Sequence, residues 1–449
     1  MKVAREISIF DKLRAVLQTN LAVEAGWSFF LKISATTLGF LVTVVLARTM
    51  GPETYGVYAY AYTLVWVLAR PLVGGLRNLV LRETARGATR EEPAWIKGIW
   101  RWSGLAAVAA GLILVLLSLL GVGLFSDQLT TTDWGVVVWG VLLVPLIALG
   151  NLRGAALRGL RRMIAGISTE LVLQPALFLT FVAVWLFVLQ IRLSASLAMA
   201  LQVLAAALAF SAGSWLLWRH TPTAVKTAKP RMSHRAWLAS ALPFTLIAGM
   251  GVVNNRTDIL VLGLFQDSGQ VGIYRVAVQA ATLTSLGLQA ANLVVAPRFA
   301  QLYTRGDFAR LQRVVTLSAR GVLAFSAIAT AFFVLFGQPF LQIVFGESYA
   351  TGYTPLLILV IGQFINSSAG SVGFLLNMTG HEQDTVKGMA IAAALNVMLN
   401  LVLVPLLGTP GAALATSLSM IVWNVLLWWA VRKRLGINSL AFGFPSSQI

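Results

Sequence analysis

The stretch VVNNRTDILVLG, residues 252–263, places Asn254, Asn255, Arg256 and Asp258 inside a long and mostly apolar run. A guanidinium in such a setting has two chemical uses: its planar fork of donors binds anions such as phosphate, or it neutralises a buried carboxylate. Three more bases, Lys32, Arg70 and Arg275, and one more acid, Glu170, also fall within apolar stretches. A charge at the centre of a bilayer costs at least about 2.5 to 3.5 kcal/mol, so such residues usually face a bundle interior or a wet cavity. Arg256 and Asp258, two positions apart on a helix, point in different directions and pair poorly with each other unless the helix unwinds. Four bases against two acids leave a positive excess, which suits an anionic cargo. The alternative for each residue is a structural ion pair with a neighbouring helix, and Lys32 and Arg70 have the further option of snorkelling to the surface. Asp258 and Glu170 are candidates for proton or sodium coupling, the default use of an intramembrane carboxylate. Glu170 also suits a plain interfacial ion pair.

Signals for catalysis are poor. His220, His234 and His381 fall in predicted loops without metal-ligand spacing, and there is no cysteine. No Walker loop, dinucleotide fingerprint or nucleophile elbow is present, so no metal, cofactor or enzymatic role is expected.

The elements that must hold these charges are membrane helices. Of 449 residues, 58% are hydrophobic and 11% charged, with mean hydropathy +0.80, far more apolar than a soluble globular chain. A span needs roughly 20 apolar residues, and that ruler finds twelve candidates in two sets of six. The first set lies near 26–47, 54–76, 103–125, 134–152, 167–189 and 194–218. The second lies near 238–264, 272–296, 316–337, 352–377, 387–407 and 411–431. The expected organisation is an amphipathic cytoplasmic segment at 1–25, a first lobe at 26–218, a cytoplasmic connector at 219–237, a second lobe at 238–431 and a cytoplasmic tail at 432–449. Most of the 34 Lys and Arg residues fall on one side of this topology, which puts both termini in the cytoplasm and assigns Arg153 and Arg158 to a cytoplasmic loop. The net charge of +18 is spread beside spans and forms no single patch, so nucleic acid is not an expected partner, whereas the lipid bilayer is.

The two halves carry a trace of duplication. An ungapped offset of 216 lays LARTMGPETYGVYAYA (46–61) on LGLFQDSGQVGIYRVA (262–277), matching Gly56 with Gly272 and Tyr58 with Tyr274. Each unit holds an even number of spans, so the copies share one orientation and are related by a pseudo-two-fold axis along the membrane normal. Two such bundles can enclose a central cavity.

The stretches LARTMGPETYGVYAYAYTLVWVLARPLVGGLRNLVLRETARG and RTDILVLGLFQDSGQVGIYRVAVQ resemble the polysaccharide-transporter branch of the multidrug, oligosaccharidyl-lipid and polysaccharide exporter superfamily. The resemblance implies an all-α integral membrane protein of twelve helices in two six-helix lobes, similar in architecture to the multidrug (MATE) exporters. It further implies a flippase that moves undecaprenyl-pyrophosphate-linked oligosaccharide repeat units across the cytoplasmic membrane, for O-antigen, capsule or exopolysaccharide synthesis. The lipid-linked oligosaccharide would be the partner, with a membrane polysaccharide polymerase and a chain-length regulator beside it. Under this reading Lys32, Arg70, Arg256 and Arg275 meet the cargo's charge, while Asn254 and Asn255 bond sugar hydroxyls or glue helices. An ion-coupled multidrug exporter of the same superfamily, or a non-transporting membrane scaffold, is the competing reading.

Overall fold

The computed structural model describes residues 20–124 and 131–442; residues 1–19, with most of the expected amphipathic segment, lie outside the described residues. All regular structure among the described residues is helical. The helices are α1 (Asn20–Thr89), α2 (Pro93–Leu124), α3 (Thr131–Gly159), α4 (Met163–Leu189), α5 (Ala195–His220), α6 (His234–Phe265), α7 (Ser268–Thr304), α8 (Phe308–Phe345), α9 (Glu347–Met378), α10 (Glu382–Leu407) and α11 (Thr409–Leu435). Eleven of the described helices are long and apolar enough to cross a membrane, against the twelve spans read from the sequence. The difference lies in α1, which contains both of the first two expected spans.

Unbroken, the 70 residues of α1 would extend about 105 Å, several times the thickness of a bilayer core. The helix breaks at Gly51, whose φ of 73° and ψ of 171° belong to a region open essentially to glycine alone. The two arms face each other across this break. Tyr55 reaches the Thr43 side chain, a residue twelve positions earlier that a straight helix would hold about 18 Å away. Gly370, with φ of 70° and ψ of −153°, interrupts α9 in the same way.

Helices α1–α5 form the first lobe and α6–α11 the second. The largest core cluster joins the lobes at the Gly51 end, where Leu46, Tyr58, Leu262, Tyr274 and Phe345 are buried together. Phe40 meets Phe345 edge-on at 5.7 Å, and the Tyr349 hydroxyl donates to the Ala47 carbonyl at 3.1 Å. The outer surface of the bundle is apolar, with Phe187 80%, Ile328 74% and Leu406 74% exposed. That pattern fits hydrocarbon as solvent, because all backbone polar groups of a helix are satisfied within the segment.

The residues matched by the internal duplication meet one another. A Cβ built on Gly56 would strike the Ser268 carbonyl, and one built on Gly272 would strike the Pro52 carbonyl. Under the offset of 216, Pro52 corresponds to Ser268 and Gly56 to Gly272, so the two contacts are copies of each other. Equivalent positions touch only where they lie close to the axis relating them, which puts the pseudo-two-fold axis between Gly56 and Gly272.

Two straps hold the ends of the lobes. The connector after α5 folds back on the first lobe, where the Arg231 N–H donates to the Ala94 carbonyl at 2.9 Å, and Trp237 in the first turn of α6 packs against Trp95 at 5.1 Å. Beyond α11, the expected tail is docked on the second lobe as far as it is described. Gln312 bonds both backbone groups of Asn438, at 2.7 and 2.9 Å, and Arg320 donates to the Ala441 carbonyl at 3.1 Å.

Replacing Gly272 with Val should lower stability by about 3 kcal/mol, the upper range for an overpacked contact between backbones. Gly249→Ala, where an added Cβ meets nothing within 4 Å, should change it by less than about 1 kcal/mol. Thermal midpoints of the two purified variants in one detergent check the contrast.

Candidate functional site

A cavity of about 400 Å³ opens between the two arms of α1, α3, α4 and α5, with α6 and α7 closing one side. This size lies within the range of small-molecule sites, about 300 to 1,000 Å³. Six arginines line it: Arg70, Arg77, Arg153, Arg158, Arg256 and Arg275. Among the described residues, Glu170 is the only acidic one in the lining.

Helix periodicity explains the order of the charges. Arg70 and Arg77 are seven residues apart on the second arm of α1, two turns on one face and about 10 Å in rise. Arg153 and Arg158 project from the end of α3, and Arg256 and Arg275 from α6 and α7 of the other lobe. Arg256 lies within electrostatic reach of both Arg275 and Arg70, and Arg77 within reach of Arg70 and Arg158. The guanidinium groups therefore form a ladder down the cavity. Among the described residues, only Arg153 of the six takes part in an ion pair.

That pair is the most enclosed charged contact of the site. One Arg153 terminal nitrogen donates to Glu170 and to the Thr169 hydroxyl, each at 3.0 Å; the other donates to the Ala209 and Phe210 carbonyls. The carboxylate rests on a bed of glycines, since a Cβ on Gly150 or Gly154 would come within 3.3 Å of its oxygens. A π turn at Thr169–Leu173 carries Glu170, and such turns often mark functional sites.

The residues proposed from sequence separate into groups. Arg70, Arg256, Arg275 and Glu170 share the cavity. Lys32 is exposed and lines a different, mostly apolar groove of about 370 Å³ beside Phe40, Leu286 and Phe325. Asn254 donates to the Met389 carbonyl of α10 at 3.1 Å, and Asn255 to the Gly251 carbonyl of its own helix at 2.6 Å. Asp258 points away from the cavity, as its spacing from Arg256 requires. It is buried in the second lobe, accepting from the Tyr274 hydroxyl at 2.8 Å, the Thr416 hydroxyl at 3.2 Å and the Ile259 N–H at 2.8 Å. These bonds tie α6 to α7 and α11.

Arg77, Arg153 and Arg158 were not among the expected site residues, because topology counting assigns bases near span ends to cytoplasmic loops. The structure corrects this for Arg153 and Arg158, which stand in α3 and turn inward. The signal available was spacing, with Arg77 seven residues after Arg70. An aromatic stripe was equally legible: Tyr55, Tyr58, Tyr62 and Trp66 line the same cavity.

Two helical lobes with a cavity between them, here lined by six arginines, make up a fold shared with several solved membrane transporters. The fold is similar to an inward-facing multidrug resistance MATE family transporter, with a TM-score of 0.75 at 14% identity, covering 91% of this chain and 98% of that one. It is also similar to the lipid II flippase MurJ in an inward closed conformation, with a TM-score of 0.72 at 13% identity, covering 91% and 87%. In sequence, the chain is 24% identical over 402 residues to the "Probable low-salt glycan biosynthesis flippase Agl15" of Haloferax volcanii, covering 89% of this chain and 80% of the relative. Residues 21–303 match the polysaccharide biosynthesis protein family, and the chain belongs to that family.

Arg153→Ala should cost about 2 to 3 kcal/mol, because it leaves the Glu170 carboxylate without its cation in a largely enclosed site. Adding Glu170→Leu to Arg153→Ala should recover part of that loss. Denaturation of the single and double variants measures the coupling.

Proposed function

We propose that this chain is a flippase for lipid-linked oligosaccharides, carrying undecaprenyl-pyrophosphate-linked repeat units across the cytoplasmic membrane by alternating access. The observation that carries the reading is the cavity itself, with six arginines and one carboxylate. Polyanionic pyrophosphate is the group such a site suits, since a guanidinium outside an ion pair offers a forked pair of donors to phosphate oxygens, and of the six only Arg153 is so paired among the described residues. The family membership and the flippases among the similar proteins support the same cargo class. A cationic drug would meet like charge throughout the ladder, which weighs against the multidrug alternative. The role is transport without covalent change to the cargo, so the protein is not an enzyme.

In this reading the Gly51 end faces outward, both termini face the cytoplasm, and the cargo enters from the Arg77–Arg158 end. The lobes then rock about their contact at Gly56 and Gly272, passing the pyrophosphate up the ladder while its polyprenyl tail stays in lipid. Glu170 is the carboxylate with access to the cavity, and proton or sodium coupling is assigned to it in preference to the enclosed Asp258. A polymerase and a chain-length regulator would act on the delivered units, serving a surface polysaccharide such as O-antigen, capsule or exopolysaccharide.

Arg256→Ala should reduce flipping of a labelled lipid-linked oligosaccharide in proteoliposomes by about tenfold or more, the equivalent of about 1.4 kcal/mol per decade, with unchanged insertion. Wild-type rates in that variant would remove the cavity from the mechanism. Glu170→Gln should abolish the response of the rate to an imposed proton or sodium gradient. A response equal to wild type would assign the coupling elsewhere.

A further inference from the structure

Along the second arm of α1, Tyr55, Tyr58, Tyr62 and Trp66 recur at intervals of three, four and four residues, which puts them on one helix face. Tyr58 stacks on Tyr62 with centroids 5.8 Å apart and planes 7° from parallel, and on Phe178 at 6.5 Å and 5°. Tyr62 in turn meets Trp66 edge-on at 6.3 Å. The rail is closed at the Gly51 end, where Tyr55 and Tyr58 are 3% and 5% exposed. Tyr62 and Trp66 are only half-buried. Trp66 also lines a second cavity of about 190 Å³ that continues the first and shares Arg70, Arg77 and Asn151 with it.

The fold does not demand this stripe. Under the duplication offset Tyr58 keeps an aromatic counterpart in Tyr274, but the counterparts of Tyr62 and Trp66 are Val278 and Thr282, so the equivalent helix packs without aromatic rings at these two positions. Half-buried rings in a polar cavity leave apolar area in water, at about 25 cal/mol per Å² that a ligand would recover. A ligand suited to them has flat apolar faces and a hydroxylated rim. Uncharged amides stand around the rail for that rim: Gln174, Gln202 and Gln279 line the same cavity, and amides both donate and accept. The cations meet the rail as well, since the Arg70 guanidinium lies 5.1 Å above the Trp66 ring.

We propose that Tyr62 and Trp66 form a saccharide-stacking subsite, which receives the sugar ring bonded to the pyrophosphate while Arg70 and Arg256 hold the phosphates. This inference rests on the lipid-linked glycan reading and adds to it the residues that distinguish a glycosylated lipid from a bare one. Pyranose rings present C–H faces to an aromatic surface and hydroxyls at their edge, the combination this wall matches.

Affinities of the purified full chain in lipid nanodiscs test the assignment. Two probes are used: a polyprenyl pyrophosphate, and the same lipid carrying one N-acetylhexosamine. Unaltered protein should bind the sugar-bearing lipid more tightly. Trp66→Leu should weaken binding of that lipid by about tenfold more than it weakens binding of the bare lipid, near the upper end for a ring-stacking contact. Trp66→Phe should retain most of the affinity because it keeps an aromatic face. Measurable bare-lipid binding also shows that the variant is folded. The proposal is overturned if Trp66→Leu weakens both lipids equally, or weakens neither. If unaltered protein binds neither lipid, the cargo reading fails first and this subsite fails with it.

Discussion

Two glycines facing each other near the symmetry axis set the terms for the rest of this molecule. At Gly56 and Gly272 the helices approach until side chains are excluded, each blocked by a carbonyl of the other lobe. Without a hydrophobic driving force between helices in lipid, association depends on close packing of this kind. The contact lies within the largest core shared by the lobes, at the Gly51 end. It leaves the first lobe room to open a cavity at the other end, where Arg77 and Arg158 lie.

The duplication supplies scaffold and not chemistry. Gly56 and Gly272 match, as do Tyr58 and Tyr274, yet the counterparts of Arg70, Arg256 and Arg275 under the same offset are Leu286, Phe40 and Ala59. Symmetric packing therefore surrounds an asymmetric site. The first lobe contributes most of the cavity wall, and the second contributes two guanidinium groups and a rigid backing in which Asp258 is locked to Tyr274 and Thr416. The asymmetry also explains why so much positive charge is tolerated. Most of these arginines face a shared polar space, where solvent or an anion can reach them, and not the lipid.

Much of this was legible in the residues. Composition and span length identify the membrane class, and the spacing of Arg256 and Asp258 separates their directions correctly. Burial combined with sign finds Arg70, Arg256, Arg275 and Glu170, because an apolar helix has few reasons to carry charge. The rule fails for Lys32, where depth in a span is known from sequence but rotation about the helix axis is not; the residue turns to a separate groove. It fails in the other direction for Arg153 and Arg158, which a charge count near the span ends treats as topological markers. Asn254 shows a third limit, since an amide on a helix gives no sign of which carbonyl on α10 it will reach. The first two spans stand as one element because the chain turns between them at Gly51, where φ is 73°, without an intervening loop.

The π turn at Thr169–Leu173 has a consequence for how this protein can vary. An α-helix advances about 100° per residue, and a π turn holds one residue more than an α turn. The extra residue is absorbed locally, because five residues at the π pitch turn the helix through nearly the same angle as four at the α pitch, and the faces before and after the turn stay in register. Gln174 and Phe178 therefore share the cavity with Glu170 across the turn. The constraint on this span thus falls on the turn itself, which presents Glu170 to Arg153, and less on the exact length of helix to either side of it.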